Sequence, residues 1–329
     1  MKTRITKEQW LRWYEDMLFY RKFEEKCAQL YGQRKIRGFL HLYIGEEAVA
    51  VGIASALKPG DKMISAYREH VQAMVMGTDP NAVMAELYGK STGSSKGKGG
   101  SMHIFDKVHN FYGGHGIVGA QIPIGAGIAM AEKYRKTGNI CVTFFGDGAA
   151  FQGALHETFN MSAKWGLPVL FVLENNRYAM GTAVDRISAV SELAHLGATY
   201  GIQSKSINGM DVGEVYKAAR EAVEYVRELS KPYFLEVKTY RYRGHSMSDP
   251  AKYRTREEVE SYKRQDPIER LRTVLIKKKY VTEESLKVIQ QRVQQRVEAA
   301  VRYAEESPFP PPEELYTDVY RQSDYPFLD

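Results

Sequence analysis

The chain has 329 residues, 43% of them apolar, and 46 Lys plus Arg against 40 Asp plus Glu give a net charge of +6. That length can bury a large core, as one α/β domain with a helical appendix or as two smaller domains, and the first is expected. No apolar stretch approaches the ~20 residues of a membrane span, the basic residues are interleaved with glutamates rather than striped for nucleic acid, and the two cysteines, Cys27 and Cys141, are too few for a zinc cage or disulfide framework. The start MKTRITKEQW lacks the apolar core of a signal peptide, so a reducing, cytoplasmic location is expected.

Taken in chain order, Thr6 with Gln9 three residues later predicts a capped helix from about Lys7 to Tyr31, with Trp10, Tyr14, Met17, Leu18 and Phe23 on its apolar face. A second helix, about Gly45 to Leu57, stops at Lys58-Pro59-Gly60, and Met63-Ile64-Ser65 reads as a short strand leading to Ala66-Tyr67-Arg68-Glu69-His70. Tyr88 to Gly119 is rich in glycine and poor in apolar periodicity, which predicts a functional or mobile segment. A helix over Ile124 to Lys136 carries Gly125, Ala126, Gly127 and Ala129 on a surface made for close packing.

Two apolar runs follow. Ile140 to Phe145 closes on Gly146-Asp147-Gly148, and Pro168 to Leu173 leads to Asn175-Asn176. The 26 residues between Gly148 and Asn175 read as one helix, in which Phe151, Leu155 and Phe159 form a stripe flanked by Ala154, Thr158 and Met161 while Gln152 and Lys164 stay wet. Strand, helix and strand of that length make a right-handed βαβ unit. Both motifs then fall at the carboxyl ends of parallel strands, where open α/β sheets bind ligands. Val190 to Gly201, Val212 to Leu229 and Phe234 to Thr239 continue as helix, helix and strand.

After Asp249 the character changes. Glu257 to Lys279 and Thr282 to Glu305 are charged and helical in pattern, and the tail SPFPPPEELYTDVY forms an extended arm because its prolines remove backbone donors. The expected division is an α/β domain with a mostly parallel sheet over residues 1–255 and a helical appendix with its arm over 256–329. The appendix packs on its own chain or wraps a partner subunit.

A carboxylate and an amide oxygen converging at two strand tips suit Mg²⁺, which keeps part of its shell for water and phosphate oxygens. Glycines beside Asp147 let backbone N–H groups approach a phosphate, and the helix that follows would present its positive end. The alternative is an Asp helix cap and an Asn-Asn turn, with no ligand.

The stretch GDGAAFQGALHETFNMSAKWGLPVLFVLENN resembles the thiamin diphosphate motif, GDG followed about thirty residues on by NN. With GFLHLYIGEEA, AYREH, KGKGGSMH, NFYGGHGIVGAQIPIGAGIA, ENNRYAMGT and YRYRGHSMSDP, nearly the whole chain is similar to the α subunits of thiamin-dependent 2-oxo acid dehydrogenase E1 components, the pyruvate enzymes above all. The resemblance implies a three-layer thiamin diphosphate-binding fold. It implies Mg²⁺ ligated by Asp147, Asn176 and the backbone carbonyl of Tyr178, with Gly148 and Ala149 lending backbone to the diphosphate. Tyr67 and Arg68 would contact the cofactor, and Gly116 and Val118 would lie under its aminopyrimidine ring. His41 would stand near the thiazolium as a proton donor, and His245 would reach the diphosphate. His115 is expected to be a turn residue.

By the same resemblance the reaction is oxidative decarboxylation of pyruvate with transfer of the two-carbon unit to the lipoyl group of an E2 acyltransferase. No segment matches the glutamate that engages the pyrimidine ring, which implies that a β subunit supplies it in an α₂β₂ heterotetramer. Ser246 matches a serine phosphorylated in mitochondrial relatives, but PAKYRT after Asp249 is one residue shorter than theirs, so phosphorylation is not expected. An acetoin or branched-chain 2-oxo acid dehydrogenase α subunit remains an alternative. So does a non-catalytic diphosphate-binding assembly subunit.

Overall fold

The computed structural model describes residues 5–319; residues 1–4 of the opening segment and 320–329 of the arm lie outside the described residues. Its strands are β1 (Lys62–Ala66), β2 (Phe111–His115), β3 (Cys141–Gly146), β4 (Val169–Asn175), β5 (Tyr178–Ala179), β6 (Thr182–Ala183), β7 (Gln203–Asn208) and β8 (Tyr233–Lys238). Six of them form one parallel sheet in the order β2-β1-β3-β4-β8-β7, and β5 pairs with β6 as a small antiparallel hairpin. The helices are α1 (Lys7–Gly32), α2 (Glu47–Ala54), α3 (His70–Met76), α4 (Pro80–Leu87), α5 (Gln121–Arg135), α6 (Gly153–Trp165), α7 (Val184–Ile187), α8 (Val212–Leu229), α9 (Arg256–Lys263), α10 (Pro267–Lys277) and α11 (Glu283–Glu306).

The near-continuous apolar runs of β3 and β4 follow from burial on both faces. Val142, Phe144, Leu170 and Val172 join the core shared with α1, α2 and α8, while Cys141, Phe145, Val169, Phe171 and Leu173 join the core shared with α5 and α6. Helices, sheet and helices thus make three layers. Both cysteines are buried free thiols, as their apolar contexts imply. Among the described residues no helix is long and apolar enough to cross a membrane.

β3 and β4 run in step from Cys141 opposite Val169 to Gly146 opposite Glu174, so Asp147 and Asn175-Asn176 leave the sheet at one edge. The connection between them differs from a single helix. Asp147–Phe151 is a 3₁₀ turn and α6 begins only at Gly153, so Phe151 falls off the apolar stripe and is exposed, while Leu155, Thr158 and Phe159 are buried. Backbone amides near Asp147 therefore belong to the 3₁₀ turn rather than to the first turn of α6.

Other departures have similar local causes. Leu193–Tyr200 is 3₁₀ rather than α-helical. β2 hides in the glycine-rich segment, as the strand Phe-Tyr-Gly-Gly-His, which makes His115 a strand end rather than a turn residue. β7 is an edge strand whose Gln203, Ser204, Lys205 and Ser206 leave Ile207 as its buried residue, so no apolar alternation betrays it. Glu257 to Lys279 breaks where Asp266, followed by Pro267, caps a new helix by accepting from the backbone of Ile268 and Glu269.

Apolar residues of α10 and α11 enter the same core as α1 and α2. Arg21 of α1 ties the two regions, donating to Glu47 (2.9 Å) and to Asp266 (3.0 Å). The arm lies along its own chain: Lys90 Nζ donates to the Ser307 carbonyl (2.9 Å), Ser91 N to the Pro308 carbonyl (3.0 Å), and Lys98 pairs with Glu314 (2.9 Å).

Candidate functional site

At the carboxyl edge of β1, β3 and β4 lies a cavity of about 310 Å³. Its walls include Asp147, Gly148 and Ala149 of the 3₁₀ turn, Asn176 and Tyr178 after β4, Tyr67 and Arg68 after β1, and Val118. A second cavity of about 600 Å³ shares Tyr67, Val118 and Met180 with it and reaches Gly116, His41 and His245. The structure therefore gathers every candidate site residue around two adjoining chambers. The glycine-rich segment supplies part of the second through Met102 and Gly116.

The first chamber holds oxygen donors with unmet valence. Asp147 is buried, and its Oδ2 has no hydrogen-bond partner. Burial pushes its carboxyl up to about 7, with Glu46 adding to the rise and Arg241 opposing it. Asn176 donates through Nδ2 to Glu46 Oε1 (3.0 Å), which leaves Oδ1 facing only a long contact from Tyr178 N (3.5 Å). Such donors fit a hard cation, which would relieve the desolvated carboxylate. Among the described residues no group of three or more His, Cys, Asp or Glu side chains is placed to hold a metal. A cation here would have to draw on amide, backbone and ligand oxygens. The Tyr178 carbonyl, the third expected ligand, accepts from Arg241 Nη1 (3.1 Å) and keeps its second lone pair.

Gly148 allows a close approach that no other residue would. A Cβ there would stand 2.7 Å from the Ala179 methyl on the β5–β6 hairpin.

Arg68 is buried and does not form a surface pair with Glu69. It donates to the backbone carbonyls of Leu42 (2.8 Å) and His245 (2.7 Å), cross-linking the two loops that carry His41 and His245. The rings of His41, Tyr67 and His245 cluster, with centroids 4.8 to 5.6 Å apart. Burial, reinforced by the Arg68 charge, lowers His41 to about 3 and His245 to about 4, so both are neutral imidazoles at neutral pH. Each has an Nδ1 that is buried and unpartnered. Two neutral rings with free nitrogens can accept or donate protons as charge develops nearby. Ser246 lines the second chamber with its hydroxyl 2.9 Å from that of Ser248.

Three charged residues of the first cavity were not singled out as site residues from the sequence. Glu46 and Glu174 are buried carboxylates whose pKa values rise through burial and, for Glu174, through Glu46; Glu174 accepts from Gln72 Nε2 (3.1 Å) and from the Tyr43 hydroxyl. Arg241 donates to the carbonyls of Tyr178 and Met180 (3.0 Å) and to the Tyr253 hydroxyl (3.0 Å), fixing the hairpin over the cavity. Each sits inside a stretch already notable, GFLHLYIGEEA, LENN or YRYRGHSMSDP. Nothing in a charged residue's own identity signals that it points inward.

Residues 15–313 match the dehydrogenase E1 component family. The chain is 55% identical to the pyruvate dehydrogenase E1 component subunit alpha of Rickettsia felis, over 97% of this chain and 98% of that protein. It is 51% identical to the Rhizobium meliloti protein of the same name, over 96% and 91%, and 47% identical to the mitochondrial one of Dictyostelium discoideum, over 97% and 84%. With the strand-tip cavity and the extent of these matches taken together, the chain belongs to the dehydrogenase E1 component family.

Proposed function

We propose that this chain is the α subunit of a cytoplasmic pyruvate dehydrogenase E1 component, catalysing thiamin diphosphate-dependent oxidative decarboxylation of pyruvate together with a β subunit. The observation that carries this reading is the buried, unpartnered Asp147 Oδ2 beside Asn176 at the tips of two adjacent parallel strands. Asp147, the Asn176 side-chain oxygen and the Tyr178 carbonyl would hold Mg²⁺. Gly148 and Ala149 would bring backbone against the diphosphate. Bound thiamin diphosphate supplies the carbon nucleophile and electron sink for decarboxylation.

The chain's own residues hold and orient. Arg68 and Arg241 place positive charge beside an anionic ligand while locking the loops that frame it. Gly116 and Val118 line the second chamber, Val118 on its border with the first, and there the neutral His41 would donate a hydrogen bond to a 2-oxo acid and hold it in place. His245 faces the same space from its loop. The glutamate that engages the cofactor's ring comes from the β subunit, and the lipoyl domain of an E2 acyltransferase receives the product fragment.

The test is reconstitution of the chain with its β subunit, thiamin diphosphate and Mg²⁺, followed by rates on pyruvate, branched-chain 2-oxo acids and acetoin. Pyruvate is expected to be turned over fastest. Negligible pyruvate turnover beside good turnover of another substrate rejects the assignment, and cofactor binding without any decarboxylation indicates a non-catalytic subunit.

A further inference from the structure

We infer that Glu86 is a positioning residue: its buried carboxylate serves as an internal anion around which residues 95–100 fold, and that fold sets Ser101 against the His41 backbone and Met102 in the wall of the second chamber. Glu86 lies in α4, is fully buried, and lines neither chamber. Four backbone amides converge on it. Ser95 N and Gly97 N donate to Oε2 (2.8 Å each), and Gly99 N and Gly100 N donate to Oε1 (2.7 and 2.9 Å).

The sequence between is built for this wrap. Lys96, Gly97 and Gly100 take positive φ of 57°, 76° and 61°, turning successive N–H groups inward. At Gly93 a Cβ would stand 2.3 Å from Glu86 Oε2. Hydrogen bonds to a charged acceptor are roughly twice as strong as neutral ones, so one carboxylate fixes a loop that has little apolar contact of its own.

The consequences run directly to the site. Ser101, next in the chain, accepts from the His41 backbone N through Oγ (3.2 Å) and bonds His70 Nε2 (2.9 Å), and His70 in turn meets Glu24 (2.9 Å). Met102 lines the chamber, and His103 bonds the Gly114 carbonyl (3.2 Å) two residues before Gly116. Loss of the Glu86 charge therefore moves His41 and the channel wall without touching the diphosphate grip at Asp147. An amide in its place offers one acceptor oxygen and turns an NH₂ toward two donors.

The turnover part of this inference rests on the proposed 2-oxo acid reaction; the loop part does not. In the wild-type α/β complex, hydrogen exchange at Ser95, Gly97, Gly99 and Gly100 is expected to be slow, and fast exchange there overturns the inference with no variant needed. In E86Q those amides should exchange at least about tenfold faster, while β3 and β4 amides keep their rates and thiamin diphosphate affinity shifts by less than about threefold. kcat should fall about tenfold or more. In E86A, formate should restore part of kcat by refilling the vacated nest, and formamide should not. Exchange equal to wild type, a loosened loop with kcat untouched, or equal response to formate and formamide overturns it. A wild-type complex inactive on every 2-oxo acid would remove the functional reading and leave the exchange result to decide the loop.

Discussion

Replacing Asp147 with Asn should make the cofactor-free protein more stable and the cofactor useless to it. Burial raises the Asp147 carboxyl from 3.8 to about 7. A carboxyl raised on folding contributes stability that is fully present below the unfolded pKa and is lost as pH rises through the folded one. That rise corresponds to about 4 kcal/mol as an upper bound, reached above pH 7, at about 1.4 kcal/mol per tenfold change in proton affinity. An Asn side chain avoids the charge but brings an NH₂ that needs acceptors, so a net gain of about 1–2 kcal/mol is expected. Scanning calorimetry of the α/β complex stripped of Mg²⁺ and thiamin diphosphate should find D147N melting about 1–3 °C above wild type at pH 8. That advantage should vanish below about pH 3, where Asp147 is protonated in both the folded and the unfolded state. Adding Mg²⁺ and thiamin diphosphate should raise the wild-type Tm by mass action and leave D147N unmoved. A D147N complex that is less stable than wild type at pH 8 when stripped, or that binds the cofactor within threefold of wild type, refutes the reasoning.

Three further outcomes follow from the geometry. His41 and His245 sit below their ordinary 6.5 in the folded chain, so the unfolded state binds more protons between about pH 6.5 and 4, and stability must fall as pH drops through that window; a Tm-against-pH curve for His41→Asn should be flatter there, and an unchanged slope counts against the buried neutral ring. Gly148→Ala should push the Ala179 hairpin away from the cavity and weaken cofactor binding about tenfold by calorimetric titration, with Tm of the stripped complex within a few degrees; unaltered affinity would mean the close approach is not used. Arg21→Ala leaves Glu47 buried without its cation beside Asp266, and about 3 kcal/mol of stability should be lost in urea denaturation. A loss under 1 kcal/mol would show that solvent or another side chain takes over.

The strands bearing the site were legible because β3 and β4 are buried on both faces and write long apolar runs, each ending in a polar motif. Their parallel register is what places Asp147 beside Asn176, and the length of the connection between them already implied it. The 3₁₀ turn at Asp147–Phe151 was not legible, since Phe151 keeps the four-residue spacing of Leu155 and Phe159 while the backbone has not yet become α-helical. β7 escaped notice because an edge strand needs no apolar alternation, and β2 because its Gly113-Gly114 pair reads as loop although Gly114 lets Glu69 pack against the strand. Likewise Glu46, Glu174 and Arg241 take their meaning from neighbours distant in sequence. Arg68 was legible as a site residue through its resemblance, but not as the tie between Leu42 and His245, which depends on two loops meeting.

The direct measurement is a crystal structure of the α/β complex with thiamin diphosphate and Mn²⁺ in place of Mg²⁺, the ion located by anomalous scattering. One peak is expected between Asp147 and Asn176, with side-chain oxygens of both at about 2.2 Å and the diphosphate completing the shell. A metal held elsewhere, or a diphosphate bound away from Gly148 with Asp147 Oδ2 still bare, would contradict it.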